Sequence, residues 1–169
     1  MSDTLKTRIT GIGAVLVDIL INETDQFLRD LDKEKGGMTL VENAEIVEIL
    51  SKTEQNPMAV PGGAGCNTIV GVGNLGGDAR FIGIRGDDEY GVLFQESLIK
   101  CNVDPVLSVS QSPTGKVLSV ITPDAQRSMF TFLGASTELT PSNAKTDLFE
   151  NTAIAVVEGY LLYNRDVMY

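Results

Sequence analysis

Apolar residues recur along this chain with two different periods, and the switches between them mark out its elements. RITGIGAVLVDILI (8–21) is β-rich and bounded by charge, and reads as a first strand that runs past its glycines into a second extended piece. TDQFLRDLDKEKG (24–36) carries Phe27, Leu28 and Leu31 at helical spacing and stops at Gly36-Gly37. A short strand at Met38–Val41 precedes a helix carrying Ile46, Val47 and Leu50, and MAVPGGAG (58–65) is a brief extended segment. CNTIVGVGNLGG (66–77) is helical, with Cys66, Ile69, Val70 and Gly73 on one face and Gly76-Gly77 closing it.

The second half continues in the same way. DARFIGIRGDDEYG (78–91) is a strand and turn, followed by a helix that uses Val92, Leu93, Leu98 and Ile99. Residues 106–136 hold three β-like runs split by Ser-Pro-Thr-Gly and Thr-Pro-Asp-Ala, the turn chemistry of antiparallel hairpins. LTPSNAKTDLFENT (139–152) predicts a Pro-started helix or two short ones. TAIAVVEGYLL (152–162) is a nearly continuous apolar run with the pattern of a buried parallel strand. Alternating strands and helices predict an α/β sheet, interrupted by hairpin material suited to a small antiparallel flap. No repeat or long linker divides residues 1–169. A doubly wound sheet stopping after that last run would be short of strands, so the chain is expected to be a fragment of a longer protein.

Charge and composition narrow the function. The 169 residues are 43% hydrophobic with a formal net charge of -10, and the 13 basic residues never cluster. Nucleic acid is therefore not an expected partner. The chain has no histidine, which excludes histidine-containing zinc sites and Ser/His/Asp or Cys/His triads. The first residues, MSDTLKTRITG, lack the apolar core of a signal peptide and no apolar run reaches membrane-spanning length, so a cytoplasmic location with reduced thiols is expected.

The glycine-rich stretch 61–77 contains Gly71-Val72-Gly73-Asn74-Leu75-Gly76, formally a dinucleotide fingerprint. Those letters fall in the second half of the expected helix, where its dipole repels phosphate, and no strand directly precedes them. Gly71 and Gly73 are instead expected to permit close helix packing, with Gly76 at the cap. Gly62 and Gly63 stand at the helix start, where a missing Cβ lets backbone approach a ligand and first-turn N–H groups point outward. Asn67, four residues beyond Gly63, shares that face and offers both a donor and an acceptor. The set suits a polyhydroxylated ligand, or equally a tight turn. Asp18 is the only charged residue between Ile9 and Ile21. It accepts from sugar hydroxyls, or is an exposed carboxylate at a strand end. Glu158 ends an apolar run as a ligand contact, an arginine partner or the first residue outside the core.

Together GIGAVLVDI (11–19), PGGAGCNTIVGVGNLGGDARFIGIRGDDEYG (61–91), TGKVLSVITPDAQRSMFTFLGAS (114–136) and VVEGYL (156–161) resemble the PfkB, or ribokinase-like, carbohydrate kinases, more closely the adenosine-kinase-like members. The resemblance covers essentially the whole chain in order. It implies an α/β ribokinase-like doubly wound core, incomplete in this chain, with a small antiparallel β lid drawn from about 15–21, 36–42, 57–61 and 114–134. It also implies ATP- and Mg2+-dependent phosphorylation of a primary hydroxymethyl group on a sugar or ribonucleoside. Asp18 falls on the substrate-hydroxyl aspartate, Gly62 and Gly63 on the ribose-contacting glycine pair, and Asn67 on the sugar-pocket asparagine. Glu158 corresponds to the acidic residue near the junction of the substrate and phosphate sites. Arg127 lies in lid strand material, reaching substrate or phosphate, or facing solvent.

Two features depart from the family pattern. Ala14 stands where many members have asparagine, and the late Gly-Ala-Gly-Asp run with the catalytic base and ATP site does not occur. The resemblance therefore implies no catalytic residue within this chain, and the base is expected beyond Tyr169. It assigns residues 1–169 the substrate-binding half, inactive alone, with a homodimer through the lid or a separate C-terminal half as candidate partners. The alternative is a non-catalytic sugar- or nucleoside-binding or structural subunit of the same fold.

Overall fold

The computed structural model describes residues 7–159 and Leu161. The extended run near the N-terminus breaks at Gly13–Val15 into β1 (Arg8–Ile12) and β2 (Leu16–Asn22), and the two strands enter different sheets. Four parallel strands form one sheet. β5 (Ala79–Gly86) lies between β6 (Val103–Ser110) and β1, and β9 (Thr152–Val157) pairs with the far side of β1. Helix α3 (Ala64–Asn74) leads into β5, α4 (Glu89–Lys100) joins β5 to β6, and the two cover one face. Phe81, Phe94, Leu98, Ile69 and Cys66 are buried there together. On the opposite face, Ile82 and Ile84 pack beneath short 3-10 turns, contacting Ala135 and Leu139.

The second sheet has five strands. β2 is flanked by β4 (Met58–Pro61) and β7 (Gly115–Ile121), and β8 (Arg127–Phe132) then carries the sheet to β3 (Met38–Leu40). One face of it is closed by α1 (Asp25–Asp30) and α2 (Asn43–Lys52), which bury Leu28, Ile46 and Ile49 against Ile19, Ile21, Leu118 and Phe130. Each such side chain contributes roughly 1.5–3 kcal/mol when fully removed from water. The other face carries no helix among the described residues.

The expected α/β class is the observed one, with corrections in detail. The small sheet is mixed rather than antiparallel, since β2 runs parallel to β7 and β3 to β8. Of the three β-like runs in 106–136, only β7 and β8 make a hairpin, while β6 joins the parallel sheet beside β5. Val47, Val92 and Ile99 point outward, and Ile49 and Phe94 take the inward positions. The β9 run is parallel as expected, yet Ile154 and Val157 on it are exposed. Its expected extension to Leu162 reaches Tyr160 and Leu162, which lie outside the described residues, as does Tyr169. Residues 139–152 form two short helical turns, Pro141–Asn143 and Thr146–Phe149, the second of the expected alternatives, and both are 3-10 rather than α. Among the described residues, no helix is long and apolar enough to cross a membrane.

The GxGxxG letters lie inside α3 and at its end. Gly71 faces open space, so close packing is not its role, whereas a Cβ on Gly73 would collide with the Cys101 carbonyl. Gly76 (φ 83°) ends the helix in a Schellman motif: Gly76 N–H donates to Gly73 O at 3.0 Å and Gly77 N–H to Val72 O at 2.9 Å.

Candidate functional site

The candidate residues meet where the β1–β2 break, the β4–α3 turn and the end of β9 come together. Gly62 N–H donates to Leu16 O at 2.9 Å, drawing the β4–α3 turn against β2. A Cβ on Gly62 would lie 2.5 Å from Asp18 Oδ2, so the carboxylate sits flat against bare backbone. Gly63 takes φ 91°, a conformation that favours glycine, and serves as the N-cap of α3.

Glu158 anchors the other side of this turn. It is 4% exposed, and its Oε2 accepts from Ala14 N–H at 2.7 Å while Oε1 accepts from Gly65 N–H at 3.3 Å. Gly65 is in the first turn of α3, so the carboxylate occupies the positive end of that helix. Of the sequence alternatives, its burial removes that of the first residue outside the core, and among the described residues it pairs with no arginine but holds two backbone donors. It also claims a first-turn N–H that the sequence left open for a ligand. Gly13 and Gly65 have no side chains where Glu158 passes, and Ala14 contributes through its backbone. Burial and the Glu158 charge push the neighbouring Cys66 thiol up to about 12.

Asp18 differs from Glu158. Its side chain makes no hydrogen bond or ion pair with the described residues. Burial raises its carboxyl above the ordinary carboxylate range, and the positive charge of Arg127 opposes that rise. Arg127 itself is exposed at the start of β8. Asn67 is exposed one turn into α3, with its N–H donating to Gly63 O at 2.9 Å. The structure therefore gathers Asp18, Gly62, Gly63 and Glu158 at one turn, sets Asn67 beside them, and couples Arg127 to Asp18 through charge. The expected boundary of the catalytic half, Tyr169, falls outside the described residues, and nothing described here bears on a base beyond it.

A second polar network, not anticipated from the sequence, joins the two layers. Asp88 caps α4 by accepting from Gly91 N–H at 2.9 Å, as expected of an acidic residue opening a helix. It also accepts from Thr114 N–H at 2.8 Å and Thr114 Oγ1 at 2.6 Å, where β7 begins. Burial alone would raise the Asp88 carboxyl, but these hydrogen bonds and the Lys116 charge carry it below its ordinary value. Lys116 is 8% exposed, donates to Asn43 Oδ1 at 2.8 Å, and lies 4.9 Å from the centre of the Tyr90 ring. The signal that could have found it is a lone lysine at an inward position of an alternating strand.

Among the described residues, no group of three or more His, Cys, Asp or Glu side chains is arranged to hold a metal ion.

Comparison with known proteins decides the lineage. The pattern of the pfkB family carbohydrate kinases matches residues 37–168. This chain belongs to that family. A fructokinase from Escherichia coli is 36% identical over 91 residues, covering 52% of this chain and 29% of its own length. The crystal structure of adenosine kinase from Sinorhizobium meliloti superposes with a TM-score of 0.81 at 31% identity, over 93% of this chain and 48% of that one. A probable sugar kinase from Rhizobium etli gives a TM-score of 0.85 at 28% identity, over 98% of this chain and 51% of that one. The pfkB chain described here thus spans about half the length of these solved structures, and less of the curated fructokinase.

Proposed function

We propose that this pfkB-family chain is the acceptor-binding half of a kinase that transfers the γ-phosphoryl group of ATP to the primary hydroxymethyl group of a sugar or ribonucleoside. The observation that carries the reading is Asp18. A half-buried carboxylate with no hydrogen-bond partner among the described residues is costly to keep, and two adjacent sugar hydroxyls are donors that would satisfy it. The bare backbone of Gly62 and Gly63 lets the sugar ring approach to contact distance, and Asn67 adds an amide at the edge of the same turn.

ATP, with Mg2+, supplies the phosphoryl group and the compensation of its charge when bound. The residues of this chain bind and aim. Holding the ring by Asp18 and the glycine pair turns the hydroxymethyl group toward the junction of the two sheets, which lowers the entropic part of the barrier. Glu158 keeps the β4–α3 turn in register with β1 through Ala14 and Gly65. The five-stranded sheet acts as a lid that excludes water from the transfer. The protein works in the cytoplasm. No described residue is assigned as the base, which this reading places beyond Tyr169.

The test is Asp18→Ala in the full-length protein. Acceptor kcat/KM is expected to fall by about 100-fold or more, the loss of two hydrogen bonds to a charged group, with ATP binding retained. Unchanged acceptor kinetics would remove Asp18 from this role.

A further inference from the structure

Among the described residues the chain passes between its two sheets four times: from β1 to β2, from β4 to α3, from β6 to β7, and from β8 to the 3-10 turn Gly134–Glu138. The first two crossings make the turn that gathers Asp18, Gly62 and Glu158. The other two run side by side at Thr114, where Ala135 N–H donates to Pro113 O at 2.8 Å. Thr114 is fully buried, and its hydroxyl is used twice. It accepts from Gly86 N–H, at the end of β5, at 2.9 Å and donates to Asp88 Oδ1 at 2.6 Å. Thr114 N–H and Gly91 N–H also donate to the Asp88 carboxylate, so the end of β5, the start of α4 and the start of β7 share one knot. Space there is tight, since a Cβ on Gly86 would stand 2.5 Å from Thr114 N. Lys116 makes a second grip, on the helix-covered face with Leu118 and Val120. Its ammonium reaches Asn43 at the start of α2 and the ring of Tyr90 on α4, and Tyr90 packs against the cores of both sheets. The knot alone would leave the five-stranded sheet free to turn about Thr114; the grip at Lys116 removes that freedom.

We propose that Asp88, Thr114 and Lys116 are positioning residues for the acceptor: they fix the angle between the two sheets and thereby the place of the Asp18 carboxylate over the turn at Gly62 and Glu158. The proposal rests on the kinase reading above and adds to it residues that touch no substrate. Register carries the effect. Gly115, next to Thr114, pairs with Leu16, and Asp18 pairs with Val117 two residues along, about 7 Å away. A Cβ on Gly115 would lie 2.9 Å from Val15 O, so β7 starts in contact with the β1–β2 break. Stability alone does not account for Lys116. A buried ammonium gives up most of its hydration, and an apolar side chain of similar volume commonly holds a core as well or better. What the polar joint supplies is direction, because hydrogen bonds weaken steeply when their angle changes, whereas apolar packing is non-directional.

The experiment uses the full-length protein with ATP, and D-fructose, D-ribose and adenosine as acceptors. Lys116→Met and Thr114→Val are each expected to raise the KM of the phosphorylated acceptor by about tenfold or more, with the KM for ATP within about twofold of the parent. Lys116→Met should do so at a Tm within about 3 °C of the parent, which a role in stability alone would not produce. Thr114→Ser keeps both hydroxyl bonds and should leave the acceptor KM at the parent value. In an Asp18→Ala background Lys116→Met should lower acceptor kcat/KM by less than about twofold further, because its effect passes through Asp18. An unchanged acceptor KM in folded Lys116→Met protein would overturn the proposal and leave the kinase reading standing, whether or not Thr114→Val folds. A full additional loss in the Asp18→Ala background would overturn it as well. Parent protein that neither phosphorylates nor, by calorimetry, binds any of the three acceptors would overturn both.

Discussion

Asp18 and Gly62 share a space that admits only one side chain, since a Cβ at position 62 would stand 2.5 Å from Asp18 Oδ2. Gly62→Ala is therefore expected to displace the carboxylate and cut acceptor kcat/KM by about 100-fold, with the KM for ATP unchanged. In an Asp18→Ala background the same change should cost little, because the clash is gone. Additive losses in the double variant would show that Gly62 acts elsewhere.

In the proposed role, Asp18 would trade stability of the fold for contact with substrate. Its carboxyl keeps a proton more tightly folded than unfolded, so its contribution to stability is greatest at acid pH and is lost as pH rises from 3.8 through its raised value. Asp18→Asn should accordingly raise Tm at pH 7 by about 2–4 °C and change it little near pH 3, while acceptor turnover collapses. A lower Tm at pH 7 would contradict the burial account.

Asp88 has the opposite sign. Its depressed carboxyl stabilises the fold above pH 3.8, and that contribution is lost as pH falls through the depressed value. Asp88→Ala removes a helix cap and both bonds to Thr114, and is expected to cost about 2–3 kcal/mol in urea unfolding at pH 7. The cost should shrink near pH 2; a constant difference would mean that charge plays no part.

Two helix glycines should respond in opposite directions. Gly73→Ala drives a methyl group into the Cys101 carbonyl and is expected to destabilise by about 1–3 kcal/mol. Gly71→Ala meets nothing within 4 Å and gains helix propensity, stabilising by about 1 kcal/mol. Thermal melts of the two variants check the contrast.

Glu158→Ala would strand the N–H groups of Ala14 and Gly65 in a buried place, at a cost of about 2–4 kcal/mol. Glu158→Gln keeps one good acceptor and should lose about half as much. Denaturant midpoints for the two variants separate a structural carboxylate from a dispensable one.

Local chemistry was legible in the sequence where it depends on neighbours along the chain. The solitary charge of Asp18 within an apolar strand marked it out, and Leu75-Gly76-Gly77 announced the end of α3. Helix phase was less secure: α2 begins at Asn43, which turns Ile49 inward and Val47 outward. What depended on distant pairing was hidden. Nothing in residue type says that β2 will align with β7 in parallel, yet that pairing, extended by the β7–β8 hairpin, is what brings Met129 onto the face of Asp18. The partners of Glu158 were equally invisible, because they are backbone N–H groups that every residue except proline possesses.

The reach of Glu158 has a consequence for synthesis. Its carboxylate meets Ala14 across 144 residues and Gly65 across 93. At about 5–20 residues per second, a nascent chain waits roughly 7–30 s between making Ala14 and making the residue that fixes it. Both sheets can begin to pair before then, since β5 and β7 are already out of the ribosome. The β4–α3 turn is thus among the last features of the described fold to be fixed, and a chain interrupted shortly before Glu158 would have most of that fold without this anchor.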